Sequence, residues 1–343
     1  MATARARLVD VDITRWYHCV SRCVRRAFLL EEGSFDRRLW IENRLNELAQ
    51  IFAVAVGGFA VMNNHLHVLV RLDPDVGAGW SDEEVIRRWV RLFPPRDAKR
   101  QLETVSDQWV QDKLSQSEWV AERRQRLQSL SWFMKCLKEP LARMVNAEEN
   151  VRGAFFEERF GSVAVLDEEA LLAISVYIDL NPVAAGIEVA PESGPFTSIK
   201  QRAEHVESQG RTADVAAAQD GSVAGSLAAS GLEESLWLSP IEDRRGLDSY
   251  REGMFQGLSI GNYFLLIDAT GRLFREGKAM IPAELAGILE RLGSSPARWT
   301  ERLEKLHKSR WIGRFFAARR AKLREVASKL GVRHLINLAG CPA

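Results

Sequence analysis

The sequence predicts an α+β chain: a ferredoxin-like (RRM-like) antiparallel sheet with helices on one face, a helical insertion, and a mainly helical C-terminal domain. Three features point there. Residues 16–24, 53–62 and 61–72 are apolar or alternate with period two, the pattern of strands whose two faces differ. Phe35, Leu39, Ile41, Leu45, Leu48 and Phe52 recur at helical spacing between the first and second of these, so the order opens strand, helix, strand, strand, as in a βαββαβ unit. A block rich in tryptophan and charge, from Asp73 to about Gln128, then stands before the next core helix.

Residues 16–24 (W-Y-H-C-V-S-R-C-V) form the first expected strand, with Arg25 and Arg26 just beyond it. The helix from Ser34 to about Phe52 takes Ser34 as N-cap and Asp36 in its first turn, where an oxygen acceptor and an acid both suit the exposed N–H groups. Asn63-Asn64 turns the chain, because asparagine tolerates left-handed backbone angles. In V-M-N-N-H-L-H-V-L-V-R-L (61–72), Leu66, Val68, Val70 and Leu72 share one face, while His65, His67, Leu69 and Arg71 share the other, wetter one.

The insertion at about 73–128 reads as two or more helices. Its arginines interleave with Trp80, Trp89, Trp109 and Trp119, giving either a face that tracks a nucleic-acid backbone or solvated charge over buried tryptophans. Leu130 to about Val145 has helical spacing, and Pro140 is expected to kink or break it. A strand runs from Gly153 to near Leu166; Asp167 then caps a helix that Asn181-Pro182 stops. The polar, small-residue stretch that follows divides the chain into a unit at 1–200, a flexible linker at 201–231 and a basic unit at 232–343 with a strand at N-Y-F-L-L-I-D.

A formal charge of +1 over 343 residues neither demands nor excludes a nucleic-acid partner, so the distribution decides. Between Lys305 and Arg333 ten basic residues face one acid, Glu325, a density that suits phosphate contact better than a merely solvated face. There L-R-E-V-A-S-K-L-G-V is loosely like a helix-turn-helix. Four cysteines (Cys19, Cys23, Cys136, Cys341) make no disulfide pattern and read as core residues of a reducing, cytoplasmic compartment. No apolar run reaches membrane-spanning length, and the start has no signal-peptide apolar region.

Of six histidines, only His65 and His67 are close neighbours; His18, His205, His307 and His334 stand alone along the chain. Two imidazoles side by side on a rigid strand are either half of a metal site or an ordinary pair on the wetter face. Tyr177, one of four tyrosines, falls in the last turn of its helix, with Asn181 one turn further on.

Taken together and in this order, H-L-H on a hairpin strand, G-A-F-F-E-E-R-F with V-A-V-L behind it, and V-Y-I-D-L-N-P-V-A-A-G resemble the single-tyrosine HUH transposases (IS200-like), nearest to the REP-associated tyrosine transposases. W-Y-H-C-V-S-R resembles that family's first strand, and the resemblance spans roughly residues 15–190. It implies that His65, His67 and Asn181 hold a divalent metal, Mg²⁺ or Mn²⁺. It implies that Tyr177 attacks a DNA phosphate and stays joined to the 5′ side, with no nucleotide cofactor. The implied substrate is single-stranded or hairpin DNA, handled by a homodimer in the nucleoid. Phosphate contacts are expected from Arg22, Arg25, Arg26, Arg159, Arg314, Arg319, Arg320, Lys322 and Arg324. Ala184 departs from the arginine usual in such relatives, and Glu157 and Glu158 are the acids in sequence reach of a proton-accepting role. The alternative is a domesticated, catalytically silent protein that binds a DNA sequence or structure.

Overall fold

Four antiparallel strands organise the chain: β1 (Trp16–Arg22), β2 (Val54–Val61), β3 (His65–Leu72) and β4 (Gly161–Val165), in spatial order β2-β3-β1-β4. A two-residue β5 (Phe315–Phe316) lies parallel beside β4. The computed structural model describes residues 9–31, 33–217, 231–246, 251–276, 297–301, 303, 315–317 and 319–330. The helices are α1 (Arg37–Ile51), α2 (Pro74–Gly79), α3 (Asp82–Leu92), α4 (Asp107–Leu114), α5 (Ser117–Leu127), α6 (Leu130–Glu148), α7 (Glu168–Asp179) and α8 (Asn181–Ala184). After them come α9 (Ser198–Ser208), α10 (Thr212–Ala217), α11 (Ile260–Glu276) and α12 (Arg320–Leu330).

Alternation on the strands decides which layer each side chain joins. Tyr17, Cys19, Leu66, Val68 and Val70 meet Ile41, Leu45 and Leu48 of α1 and Phe133, Leu137 and Leu141 of α6 on one face. Leu69, Val163 and Val165 point to the opposite face, where α7 covers them and Tyr263, Leu266 and Ile267 of α11 share the same cluster. Helices therefore lie on both faces of the sheet, not on one as expected. The reason is composition: every residue of α7 from Glu169 to Asp179 is buried, and a helix apolar all round needs partners on more than one side. For the same reason the histidine face is not the wetter one; Leu69 and His67 are both buried.

Several elements differ from expectation for local reasons. Asp36, not Ser34, caps α1, its carboxylate accepting from the Arg38 and Leu39 amides at 3.0 Å each. The helix α6 continues through Pro140 instead of breaking there. Only Gly161–Val165 of the 153–166 stretch joins the sheet as a strand, although Phe156 bridges Cys23. N-Y-F-L-L-I-D lies in α11, not in a strand, because Tyr263, Leu266, Ile267 and Thr270 fall on one buried helical face. Residues 201–208, expected in a linker, are helical within α9. The double glycine of β2 marks a bulge between Val56 and Gly58. A Cβ on Gly57 would stand 2.7 Å from Cζ3 of Trp16, so the close approach of that indole excludes a side chain.

Residues 231–246 are held against the sheet by two arginines, Arg202 buried and Arg251 half-buried. Arg202 of α9 pairs with Glu233 and donates to the carbonyls of Gly57 (3.0 Å) and Ser239 (2.8 Å). Arg251 donates to the carbonyls of Glu233, Glu234, Leu236 and Leu238 at 2.6–2.9 Å. Leu236 and Leu238 pack in the same cluster as the α1 face of the sheet. Cys19, Cys23 and Cys136 are buried free thiols. Among the described residues no helix is long and apolar enough to cross a membrane.

Candidate functional site

Antiparallel pairing sets the floor of the site. Val20 lies opposite His67 and His18 opposite Leu69, so the His18 and His67 side chains are diagonal neighbours on one face, within reach of each other. Their rings stack at 5.0 Å between centroids, and Nε2 of His18 lies 2.9 Å from Nδ1 of His67. One imidazole donates to the other, so the accepting nitrogen in that contact is unprotonated. His65 completes a row, 5.0 Å from the His67 ring and nearly perpendicular to it. Its Nδ1 lies 2.6 Å from the side-chain oxygen of Asn64.

The lid of the site is α7. Its N-terminus is fixed by Asp167, whose carboxylate accepts from the Ala170 amide at 2.9 Å. Near its other end Tyr177 sets its ring edge-on to His67 at 5.5 Å and to His18 at 6.2 Å. Asn181 opens α8 one turn later and is buried. Asp179, between them, turns away: its carboxylate accepts from Ser198 Oγ (2.5 Å), the Ile199 amide (3.0 Å) and the Tyr263 hydroxyl (2.6 Å). Burial raises the Asp179 pKa, those donors opposing it.

Burial also favours the neutral forms of His18 and His65. The pKa of His18 is lowered from 6.5 to about 3 by burial. That of His65 is lowered to about 4, by burial first and by the positive charge of Arg22 second. A neutral imidazole is the form that ligates a metal. Among the described residues no three His, Cys, Asp or Glu side chains are grouped to hold an ion. A metal here would rest on imidazoles, an amide and substrate oxygens. The enclosure is tight: His18 is 0% exposed, His67 1% and Tyr177 7%.

His65, His67 and Tyr177 thus come together, with Asn181 one helical turn beyond. His18 joins them, although its isolation along the chain suggested otherwise. W-Y-H-C marks His18 as a strand residue, but which face it shares is set by the register with β3. Arg22 pairs in register with His65. Arg25 and Arg26 are exposed in the turn after β1, at φ 57° and 55°, where Asn64 Nδ2 donates to the Arg26 carbonyl (3.0 Å). Arg159, Arg319 and Arg324 are exposed, and the Arg319 amide donates to Asp167 at 3.1 Å. Lys322 pairs with Glu325, and Arg320 begins α12. Arg314, His307, His334 and the turn expected after Leu330 lie outside the described residues. Glu157 and Glu158 are exposed on the loop before β4, and Ala184 is exposed on α8.

The chain matches no protein-family model and no curated protein sequence. Among solved structures it is similar to one described as "Structure of the REP associates tyrosine transposase bound to a REP hairpin". The likeness has a TM-score of 0.33 and 12% identity, over 55% of this chain and 78% of that one, and is too slight to carry an argument about fold or function.

Proposed function

We propose that the chain nicks and rejoins single-stranded or hairpin DNA through a covalent 5′-phosphotyrosine at Tyr177, assisted by a divalent metal. The observation that carries this reading is the edge-on packing of Tyr177 on His67 within one chain. It brings together the two sequence motifs that resemble the HUH transposases and supports a site formed within one chain. The strand order β4-β1-β3-β2, wholly antiparallel, with α1 crossing from β1 to β2 and α6 leading towards β4, supports the ferredoxin-like assignment.

In this reading His65, His67 and the Asn181 amide would hold Mg²⁺ or Mn²⁺. Such a metal would supply Lewis-acid polarisation of the scissile phosphate and offset its developing charge. A phenol of ordinary pKa about 10 is a weak nucleophile at neutral pH and needs that help. The Tyr177 oxygen attacks the phosphorus and gives up its proton to water; the 3′-oxygen leaves, takes a proton from water to become a 3′-hydroxyl, and the strand's 5′ phosphate stays on the phenol oxygen. A 3′-hydroxyl reverses the step, so no nucleotide cofactor is consumed. His18, bonded to Nδ1 of His67, fixes the ring and tautomer of that ligand, as partners one step removed from a metal do. Arg22, Arg25 and Arg26 line the approach beside His65 and suit the DNA backbone.

The test is a covalent-adduct assay on denaturing gels, with labelled hairpin or single-stranded DNA and Mn²⁺. An adduct forms with the parent chain, disappears with chelator, and disappears in Tyr177→Phe. An adduct of equal yield in Tyr177→Phe removes the tyrosine from the mechanism. The near-complete burial of His18, His67 and Tyr177 favours a second reading, a DNA-binding protein that does not cleave. DNA binding that survives His65→Ala, with no adduct under any metal, selects it.

A further inference from the structure

A second site lies on the other side of the sheet, between α1, α6 and the loop after α3. Lys135, Glu139 and Arg143 occupy successive turns of one face of α6. Across from them stand Arg44 of α1, and Phe93 and Arg96 of the loop, enclosing a cleft of about 310 Å³, within the range of small-ligand sites. Four cations face one carboxylate. Glu139 is shared by Lys135, 3.8 Å away, and Arg143, whose side chain is 74% exposed. Arg44 is tied to Glu47 (2.5 Å) and to the Cys136 carbonyl (3.2 Å), and Arg96 to the Arg100 carbonyl (2.7 Å). Lys135 and Arg143 thus share a single carboxylate and Arg96 meets only a carbonyl oxygen, so the cleft keeps a net positive charge.

The aromatic part of the cleft is the other half of the observation. Phe93 is 39% exposed, a large apolar ring left in water. It is braced from behind by Trp89, 4.5 Å away and tilted by 30°, and by Trp132 at 6.1 Å. Arg126 and Lys135 lie over the Trp132 ring, each at 4.4 Å. The ring is thus fixed, with one part open beside net positive charge. A ligand that matches is flat and apolar at one end and anionic a few ångströms away. A nucleotide has that shape, and a stacked base with its phosphate on a cation is how single strands are held without sequence preference.

We propose that this cleft binds one nucleotide of single-stranded DNA, the base against Phe93 and the phosphate against Lys135 and Arg143. That the strand is DNA rests on the nicking function proposed above; the cleft itself does not use the histidine–tyrosine site, since α1 and α6 cover the opposite face of the sheet.

Fluorescence anisotropy of a labelled oligothymidylate on the full chain tests this, with an abasic strand of equal length alongside. Phe93→Ala raises the Kd for thymidylate roughly five- to hundredfold and removes the preference over the abasic strand. Lys135→Gln with Arg143→Gln lowers the slope of log K against log salt by about 0.7, the value for one lost single-strand phosphate contact. Unchanged Kd and slope in the variants, equal parent affinity for both strands, or no binding at all overturns the cleft. The covalent adduct, scored at saturating DNA, separates the two readings. Adduct with unchanged Kd in the variants leaves nicking and rejects the cleft; weakened variants without adduct do the reverse.

Discussion

His18 was unremarkable along the chain and is central in space. What separates the two views is register: the direct opposition of Val20 to His67 makes His18 a diagonal neighbour, and no local pattern in the first strand contains that pairing. The H-x-H pair, by contrast, was legible because both imidazoles lie on one strand and period-two geometry needs no partner. Under the proposed function, His18→Phe leaves the His67 ring unoriented and lowers adduct yield by roughly 10–100-fold at limiting Mn²⁺, with excess metal restoring part of it. An adduct insensitive to this change reduces His18 to packing. The same residues make stability depend on pH. With folded pKa values of about 3 for His18 and about 4 for His65, both below the unfolded value near 6.5, the unfolded chain binds the extra protons. The stability they contribute is complete above about pH 6.5 and is lost as pH falls towards 4 and then 3. Melting temperatures measured across that range with chelator present fall accordingly, and the fall shrinks in His18→Phe.

At the scale of elements, α7 is where the proposed site and the C-terminal half meet. Its cap at Asp167 and its stop near Asn181 were readable from residue type alone. Its burial on every side was not, because that depends on α11, whose apolar run N-Y-F-L-L-I-D fits a strand as well as a helix when taken by itself. The structure resolves the ambiguity by length: Ile260–Glu276 is one continuous helix, and Tyr263 reaches from it to Asp179. That contact fixes the turn lying between Tyr177 and Asn181. Removing the hydroxyl in Tyr263→Phe takes one donor from a fully buried carboxylate, and each such loss costs about 1–3 kcal/mol. Urea unfolding should show a lower midpoint with an unchanged slope. A midpoint equal to the parent's means that Ser198 and the Ile199 amide alone satisfy Asp179.

For the whole molecule, composition suggested a boundary after residue 200, since 203–231 is small and polar while the residues beyond it turn basic. Composition cannot show where the later apolar residues go. Leu236 and Leu238 pack with the α1 face, while Ile241, Phe255, Leu258, Tyr263 and Leu266 pack with α7. Arg202 and Glu233 also form a buried pair across the same divide. Each fully buried large apolar side chain is worth about 1.5–3 kcal/mol, so these seven represent on the order of 10 kcal/mol, comparable to the whole stability of a typical domain. Cutting the chain after residue 217 would strip that cover from α7 and leave the Arg202 guanidinium buried without its carboxylate, a change that by itself costs about 3–5 kcal/mol. The truncated chain is expected to lack a cooperative urea transition and to expose apolar surface that binds ANS. If instead it unfolds sharply, within about 1 kcal/mol of the full chain, the segment from 231 onward is an attached unit and the histidine–tyrosine site stands without it.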